Sequence, residues 1–368
     1  MKASESNPNY PSKVREMTNY TIREIKKVCK DIGPRPSGEE NERKAQDYVA
    51  DSMSKVADSV VKEKFELHPK AFMGWVPLDV ILMTISVILT LLSYFDVLPS
   101  ASTAFSVVSV VLTSLAIIFT FFEFLLYKKF LDPFFPKRET YNVVCTRKAA
   151  GETKRRIVFS GHIDSAYEWY FTHLGGGKLL TTMIALAFGA IAITLAASIV
   201  SFFDVPNGVR VTAIVVLFVC LIPILMCSKF VNWKLCVPGA NDNLTGVFAS
   251  MSVLRYMAAN DIRFENTEVV CVSMACEEAG LRGAKEYVKK HCGEDDVETV
   301  FVGTDTLRDF DDMGVYNKDM TGTVKLDKQA AAMVKHASDI AGYNLPYSSV
   351  FFGSSDAAAI QQGGMKAV

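Results

Sequence analysis

Four long apolar runs constrain this 368-residue chain more than anything else in it: Val76–Phe95, Ala104–Tyr127, Leu179–Phe203 and Val211–Cys227. Each approaches or exceeds the roughly 18–20 apolar residues that carry a helix across a bilayer. Core helices of soluble proteins seldom run that long without polar positions, so the runs predict four transmembrane helices and an integral membrane protein. Asp79 and Glu123 are the charged exceptions. Both lie near a segment end, where a carboxylate is expected to reach the interface. Trp75, Tyr94, Tyr127 and Trp233 sit at segment edges, as amphipathic rings do in the headgroup zone.

The runs pair into two antiparallel hairpins, because only Asp96–Ala101 and Asp204–Arg210 separate their members. The outer flanks carry Lys62, Lys64, Lys70, Lys128, Lys129, Lys137, Arg138, Lys178, Lys229 and Lys234, whereas the tips hold only Arg210. Positive charge marks the cytoplasmic side, so the polar part of the chain is expected in the cytoplasm of a cell-membrane protein. With 39 basic and 40 acidic side chains, the chain lacks the basic footprint of a nucleic-acid binder. The N-terminus MKASESNPNY has no apolar core and does not resemble a secretory signal. Eight cysteines without C-x-x-C spacing are expected to be reduced thiols.

Residues 1–68, 137–169 and 237–368 together make about 230 residues, the size of one α/β domain, with the hairpins inserted at 69–136 and 170–236. Helical spacing marks Tyr20–Lys30, Glu39–Ala57, Leu244–Ala259, Gly283–His291 and Lys325–Ala341. Ser59–Leu67, Tyr141–Arg147, Arg155–Ser160, Glu268–Ala275 and Glu298–Gly303 read as strands. The alternation predicts a mixed, largely parallel sheet with helices on both faces. The polar turn Lys148–Lys154 predicts a hairpin of the second and third strands. With Ser59–Leu67 they would form an antiparallel meander, from whose one edge both insertions depart.

The chemistry-bearing residues follow strand ends. Arg155–Ser160 runs into Gly-His162-Ile-Asp164, Glu268–Ala275 into Cys-Glu277-Glu278, and Glu298–Gly303 into Thr-Asp305; Pro-Gly-Ala-Asn-Asp242-Asn opens the Leu244 helix. Open α/β sheets bind ligands at the carboxyl ends of their strands. One imidazole among carboxylates suits borderline-to-hard divalent metals such as zinc. Each residue also has a bland reading: a strand-end histidine, an N-cap for Asp242, a solvated pair for Glu277 and Glu278, a turn residue for Asp305. Arg282 reads as a solvated helix start that could instead contact a substrate carboxylate. Gly175–Lys178 lacks the framework of a phosphate loop and reads as a flexible collar.

The motifs SGHIDSA, PGANDNLTGV, CEEAGLRGA and GTDT together resemble the co-catalytic zinc peptidases of family M28, which include bacterial leucyl aminopeptidases, glutamate carboxypeptidase II and glutaminyl cyclases. Gly33–Gly38, Ser354-Ser355-Asp356 and Gly364–Val368 resemble further stretches of that family. The resemblance implies a zinc aminopeptidase-like fold, peptide substrates and two zinc ions. It implies His162 and Asp305 on one metal, Glu278 on the other and Asp242 bridging them. Glu277 would be the general base and Asp164 the carboxylate supporting His162. Peptide-bond hydrolysis by a metal-bridging hydroxide follows, most simply as an exopeptidase. A glutaminyl cyclase-like acyltransferase that keeps one zinc, and a non-catalytic membrane scaffold, are the alternatives. The family's last histidine ligand falls beyond Val368, so the second metal site is expected to be incomplete here. His336, inside an apolar-periodic helix, is not expected to replace it. Oligomeric state and peptide preference are not legible.

Overall fold

The computed structural model describes residues 2–6, 9–350 and 352–368. The chain divides into two compact units, one of Met1–Pro69, Lys137–Ala166 and Cys236–Val368, the other of Lys70–Pro136 and Tyr167–Leu235. Elements are numbered in chain order over both.

The first unit contains α1 (Ala3–Ser6), α2 (Tyr10–Asp31), α3 (Glu40–Met53), β1 (Ser59–Leu67), β2 (Arg138–Arg147) and β3 (Arg155–His162). After the second excursion come α8 (Leu244–Ala259), β6 (Thr267–Met274), α9 (Arg282–His291), β7 (Glu298–Gly303), β8 (Val315–Asp319), β9 (Val324–Lys325), α10 (Lys328–Ala341), β10 (Tyr347–Ser349), α11 (Asp356–Gln362) and β11 (Lys366–Ala367). Six strands form the main sheet in the order β1-β2-β6-β3-β7-β11. The β1–β2 and β2–β6 pairs are antiparallel, and β6, β3, β7 and β11 run parallel. The mixed, largely parallel sheet is as expected.

The expected β2–β3 hairpin, and with it the meander, is wrong. β6 lies between the two strands, pairing Val144 with Val272 on one side and Phe159 with Cys271 on the other. Val269–Met274 is buried throughout, so β6 can be satisfied only in the sheet interior. The polar 148–154 connection therefore spans a strand's width and bonds the approach to β6, Gly151 N–H to Glu265 C=O at 2.9 Å and Lys154 N–H to Asn266 C=O at 2.9 Å. The two excursions consequently do not leave one edge. They leave one end of the sheet: Leu67 pairs with Arg138, Val143 with Ser273, and His162 with Met274, all at the carboxyl end of β6.

Alternation along β2 sends side chains to two helical layers. Tyr141, Val143 and Cys145 pack into a core with Val28 of α2, Val49 and Met53 of α3, and Leu244, Met251 and Leu254 of α8. Asn142, between them, faces the other way and donates to Gly283 C=O at the start of α9, 3.0 Å away.

The second unit holds α4 (Ala71–Tyr94), α5 (Ser102–Phe119), α6 (Tyr170–Val200) and α7 (Asn207–Met226), with β4 (Tyr167–Trp169) paired to β5 (Val231–Cys236). Its four helical stretches are long and apolar enough to cross a membrane. Its polarity is inverted relative to a soluble bundle. Ile81, Ile88, Val111, Val215, Phe218 and Ile222 are exposed, while Ser86, Thr90, Ser109, Thr113 and Ser198 are buried. These hydroxyls satisfy one another: Ser86 with Ser109 and Thr113 at 2.6 Å each, Thr90 with Ser198 at 2.8 Å, Ser109 with Ser198 at 2.6 Å. Small hydroxylated residues between helices and apolar ones outside are the pattern of helix packing in lipid.

One sequence expectation fails in this unit. Asp79 and Glu123 do not reach outward; they are 6% and 0% exposed. Asp79 accepts from the Thr120 hydroxyl at 2.8 Å, and Glu123 from Leu131 N–H at 2.5 Å, so local donors hold them inward. The expected collar is present: Gly175 and Gly176 depart from helical geometry, Gly176 at φ +64°, and separate a short first turn of α6 from its long apolar stretch.

Candidate metal centre

Three neighbouring strands deliver the site. β3 ends at His162, between β6 and β7. The chain beyond β6 bears Glu277 and Glu278, and the chain beyond β7 bears Asp305. Asp242 comes from the turn before α8, through a cis peptide to Asn243. The helix abuts the end of β3 so closely that a Cβ on Gly161 would stand 2.3 Å from the Gly246 carbonyl carbon. Glycine at 161 is thus the condition for docking α8 beside His162.

Asn243, not Asp242, caps α8, accepting from Gly246 N–H at 2.9 Å and donating to Thr304 C=O at 2.9 Å. The cap frees Asp242 to face His162. His162 Nε2 lies 3.1 Å from Asp242 Oδ1, 3.8 Å from Glu277 Oε2 and 3.8 Å from Asp305 Oδ2. His162, Asp242 and Asp305 form one group able to hold a cation, and His162, Glu277 and Glu278 another. The structure therefore brings all five residues together, with His162 common to both groups. Asp242 and Asp305, packed round by protein but each with an edge open to solvent, form the mouth; His162 and Glu277 are buried and form the floor.

Asp164 ties the parts together from below. Its carboxylate accepts from Glu277 N–H at 3.1 Å, Glu278 N–H at 3.0 Å and the Ser37 hydroxyl at 2.6 Å, and lies 3.4 Å from His162 Nδ1. Preceding Glu277, Cys276 adopts φ +56°, a conformation costing a non-glycine residue about 1–2 kcal/mol. Glu42 holds it there, accepting from Cys276 N–H at 2.9 Å.

Several supporting residues had no sequence role. Arg35 is fully buried and donates to Ile163, Gly33, Pro238 and Gly239 carbonyls, linking the chain before Asp164 to the turn before Asp242. Glu42 also accepts from Gly38 N–H and Thr140. Asp356 is buried with Oδ1 lacking a hydrogen-bond partner. The motifs around Arg35 and Asp356 were visible in sequence, but nothing in them gave a side-chain direction. Arg282 is not solvated: it is 1% exposed and donates to Ala279 C=O at 3.1 Å. His336 is exposed on α10 and belongs to neither donor group.

The electrostatics call for positive charge. Burial, then the neighbouring carboxylates, raises the Glu277 and Glu278 pKa values well above the ordinary range. Burial raises Asp305 to about 6 and Asp356 to about 8. At His162 burial opposes the charged ring, but Glu277, Asp164, Asp242 and Asp305 outweigh it and raise its pKa. Asp242 is lowered, its burial outweighed by the His162 hydrogen bond. An imidazole with crowded carboxylates fits one or more divalent cations of zinc-like or harder character. The cysteines are all free thiols, and none belongs to either donor group.

Residues 227–368 match the model of peptidase family M28. No curated protein sequence matches the chain. Among solved structures, it is similar to a zinc aminopeptidase from Bacillus subtilis, with TM-score 0.50 and 13% identity over 95% of this chain and 83% of that one. An aminopeptidase from Aneurinibacillus sp. strain AM-1 gives TM-score 0.51 and 13% identity over 95% and 83%. A glutaminyl cyclase from Fimbriiglobus ruber gives 0.50 and 12% over 95% and 82%. At these identities the structures speak to the fold, which is the aminopeptidase-like one expected. The expected resemblance to M28 peptidases stands on the family match.

Proposed function

We propose that this chain is a membrane-embedded zinc metallopeptidase that removes N-terminal residues from peptides. The convergence of His162, Asp242, Glu277, Glu278 and Asp305 at adjoining strand ends carries the reading. The aminopeptidases among the similar structures support the exopeptidase choice. The four apolar helices with their buried hydroxyls support the bilayer, and the lysine-rich outer flanks favour a cytoplasmic site.

In this reading His162 and Asp305 would hold one zinc, Glu278 a second, and Asp242 would serve both. Bound zinc supplies polarisation of the peptide carbonyl and acidification of water. Glu277, whose pKa burial raises, takes the proton of the attacking water and returns it to the leaving amine. Asp164 fixes both the His162 ring and the Glu277-Glu278 backbone, so base and metal donors keep their spacing.

The test is zinc content and hydrolysis by the full chain in detergent or nanodiscs, on peptides with free and acetylated N-termini and on N-terminal glutamine substrates. Zinc-dependent release of free N-terminal residues is the expected result. Ammonia release from glutamine without hydrolysis would move the assignment to the cyclase, and absence of bound metal would end the hydrolase reading.

A further inference from the structure

Three consecutive N–H groups of the turn bearing Glu277 and Glu278 end on two buried carboxylates. Cys276 N–H donates to Glu42 Oε1 at 2.9 Å, Glu277 N–H to Asp164 Oδ1 at 3.1 Å and Glu278 N–H to Asp164 Oδ2 at 3.0 Å. Adjacent residues of one further turn tie the two carboxylates, the Ser37 hydroxyl donating to Asp164 Oδ2 and Gly38 N–H to Glu42 Oε2. Asp164 lies two residues beyond His162 and belongs to the centre by its place in the chain. Glu42 does not. It comes from α3, 234 positions before Cys276, and outside the 227–368 stretch that carries the family match.

The placement of Glu42 is costly. It is 0% exposed, and a carboxylate taken fully out of water is tolerated only when its oxygens are well supplied with donors. Four donors meet it: Gly38 N–H at 3.0 Å, the Thr140 hydroxyl at 2.6 Å, Cys276 N–H at 2.9 Å and the Cys276 thiol at 3.1 Å. Two of the four come from a single residue, so both the backbone and the side chain of Cys276 are gripped. That residue sits at φ +56°, and its dihedrals set the direction in which Glu277 and Glu278 leave β6. Relaxation of Cys276 to ordinary dihedrals would swing both carboxylates away from His162, whose Nε2 now stands 3.8 Å from Glu277 Oε2.

We propose that Glu42 is a positioning residue of the metal centre: through Cys276 it aims the Glu277–Glu278 pair, so that base and metal donor hold their geometry before a cation arrives. The consequence for catalysis rests on the metallopeptidase reading; the aiming of the turn does not.

The experiment uses the full chain in detergent with Glu42→Gln, which keeps the side-chain shape and replaces an acceptor oxygen by a donor. Val49→Ala, which removes core packing from the same helix, is the stability control. In chelator-treated protein, the amides of residues 276–278 should exchange with solvent at least about tenfold faster in Glu42→Gln than in Val49→Ala. In cobalt-loaded protein, the visible absorption bands should change in Glu42→Gln and not in Val49→Ala, and kcat should fall about 10–100-fold with KM little altered. Equal exchange at 276–278 in the two variants overturns the proposal. Faster exchange with unchanged bands and unchanged kcat overturns it too, because Glu42 would then hold the turn without serving the site. If the unsubstituted protein binds no cobalt, the metallopeptidase reading fails and exchange alone decides the positioning. Thr140→Val removes one donor and keeps the carboxylate, so it stands in should Glu42→Gln not fold; a smaller rise at the same amides is expected, and no rise overturns the proposal.

Discussion

His162 Nε2 and Asp242 Oδ1 stand 3.1 Å apart, although an entire helical hairpin separates the two residues in the chain. The contact exists because Asn243 takes the cap of α8 and leaves Asp242 unoccupied by the helix. Asp242→Asn keeps the shape and removes the charge. It is expected to lower bound zinc per chain and cost more than the roughly 10–100-fold typical of losing a supporting residue. Zinc quantified by mass spectrometry on the purified variant checks this; full occupancy would remove Asp242 from the ligand set.

Glu277→Gln should separate proton transfer from metal holding. If Glu277 is the base, kcat falls by roughly 10²–10⁴ while zinc content is unchanged. A parallel fall in zinc content would make Glu277 a ligand instead, which its place beside His162 and Glu278 makes a meaningful alternative to exclude.

Asp164→Asn should act without touching substrate. The substitution weakens acceptance from Glu277 N–H, Glu278 N–H and Ser37, and loosens the His162 ring. Zinc affinity should fall about 10–100-fold, with Ser37→Ala giving a smaller loss of the same kind. Competition against a calibrated chelator reads both, and equal affinities in all three proteins would leave Asp164 without a role there.

Metal-free protein should lose stability as pH rises from about 4 to 8. Burial raises Asp305 to about 6, Glu42 to about 7 and Asp356 to about 8. An acid whose folded pKa exceeds its unfolded value carries the extra proton in the native chain. The resulting stability is complete below the unfolded pKa and declines as pH climbs through the folded one. For Glu42 the span corresponds to about 3 kcal/mol. Thermal unfolding of chelator-treated protein across this range should show Tm falling, and zinc should flatten the curve. Glu42→Gln should remove part of the slope; an unchanged slope would dissociate it from Glu42.

Gly161→Ala places a methyl 2.3 Å from the Gly246 carbonyl carbon and Val247 nitrogen. The end of β3 and the first turn of α8 must then separate, at about 1–3 kcal/mol. Because His162 and Asp242 flank that contact, zinc affinity should fall together with Tm. Loss of Tm alone would place the strain elsewhere.

Much of this was legible beforehand for identifiable reasons. Helix and strand existence followed periodicity, and the candidate donors His162, Glu277, Glu278 and Asp305 stood out by following strands, where α/β sheets present ligands. Strand order was not legible: the 148–154 turn has hairpin composition, and only the burial of β6 on both faces explains why it separates β2 from β3. Arg35, Glu42 and Asp356 escaped because a buried charge is recognised by its partners, which lie up to 234 positions away in sequence.

The sequence by itself determined four membrane-length helices, an α/β unit and a set of candidate donor residues, because hydrophobic length, periodicity and side-chain chemistry are local properties. Tertiary structure alone decided that His162 belongs to two donor groups, that Asn243 rather than Asp242 caps α8, and that Asp79 is buried against Thr120 instead of reaching the interface. Those outcomes depend on which distant groups compete for the same donors, acceptors and space, and that competition exists only once the chain has closed on itself.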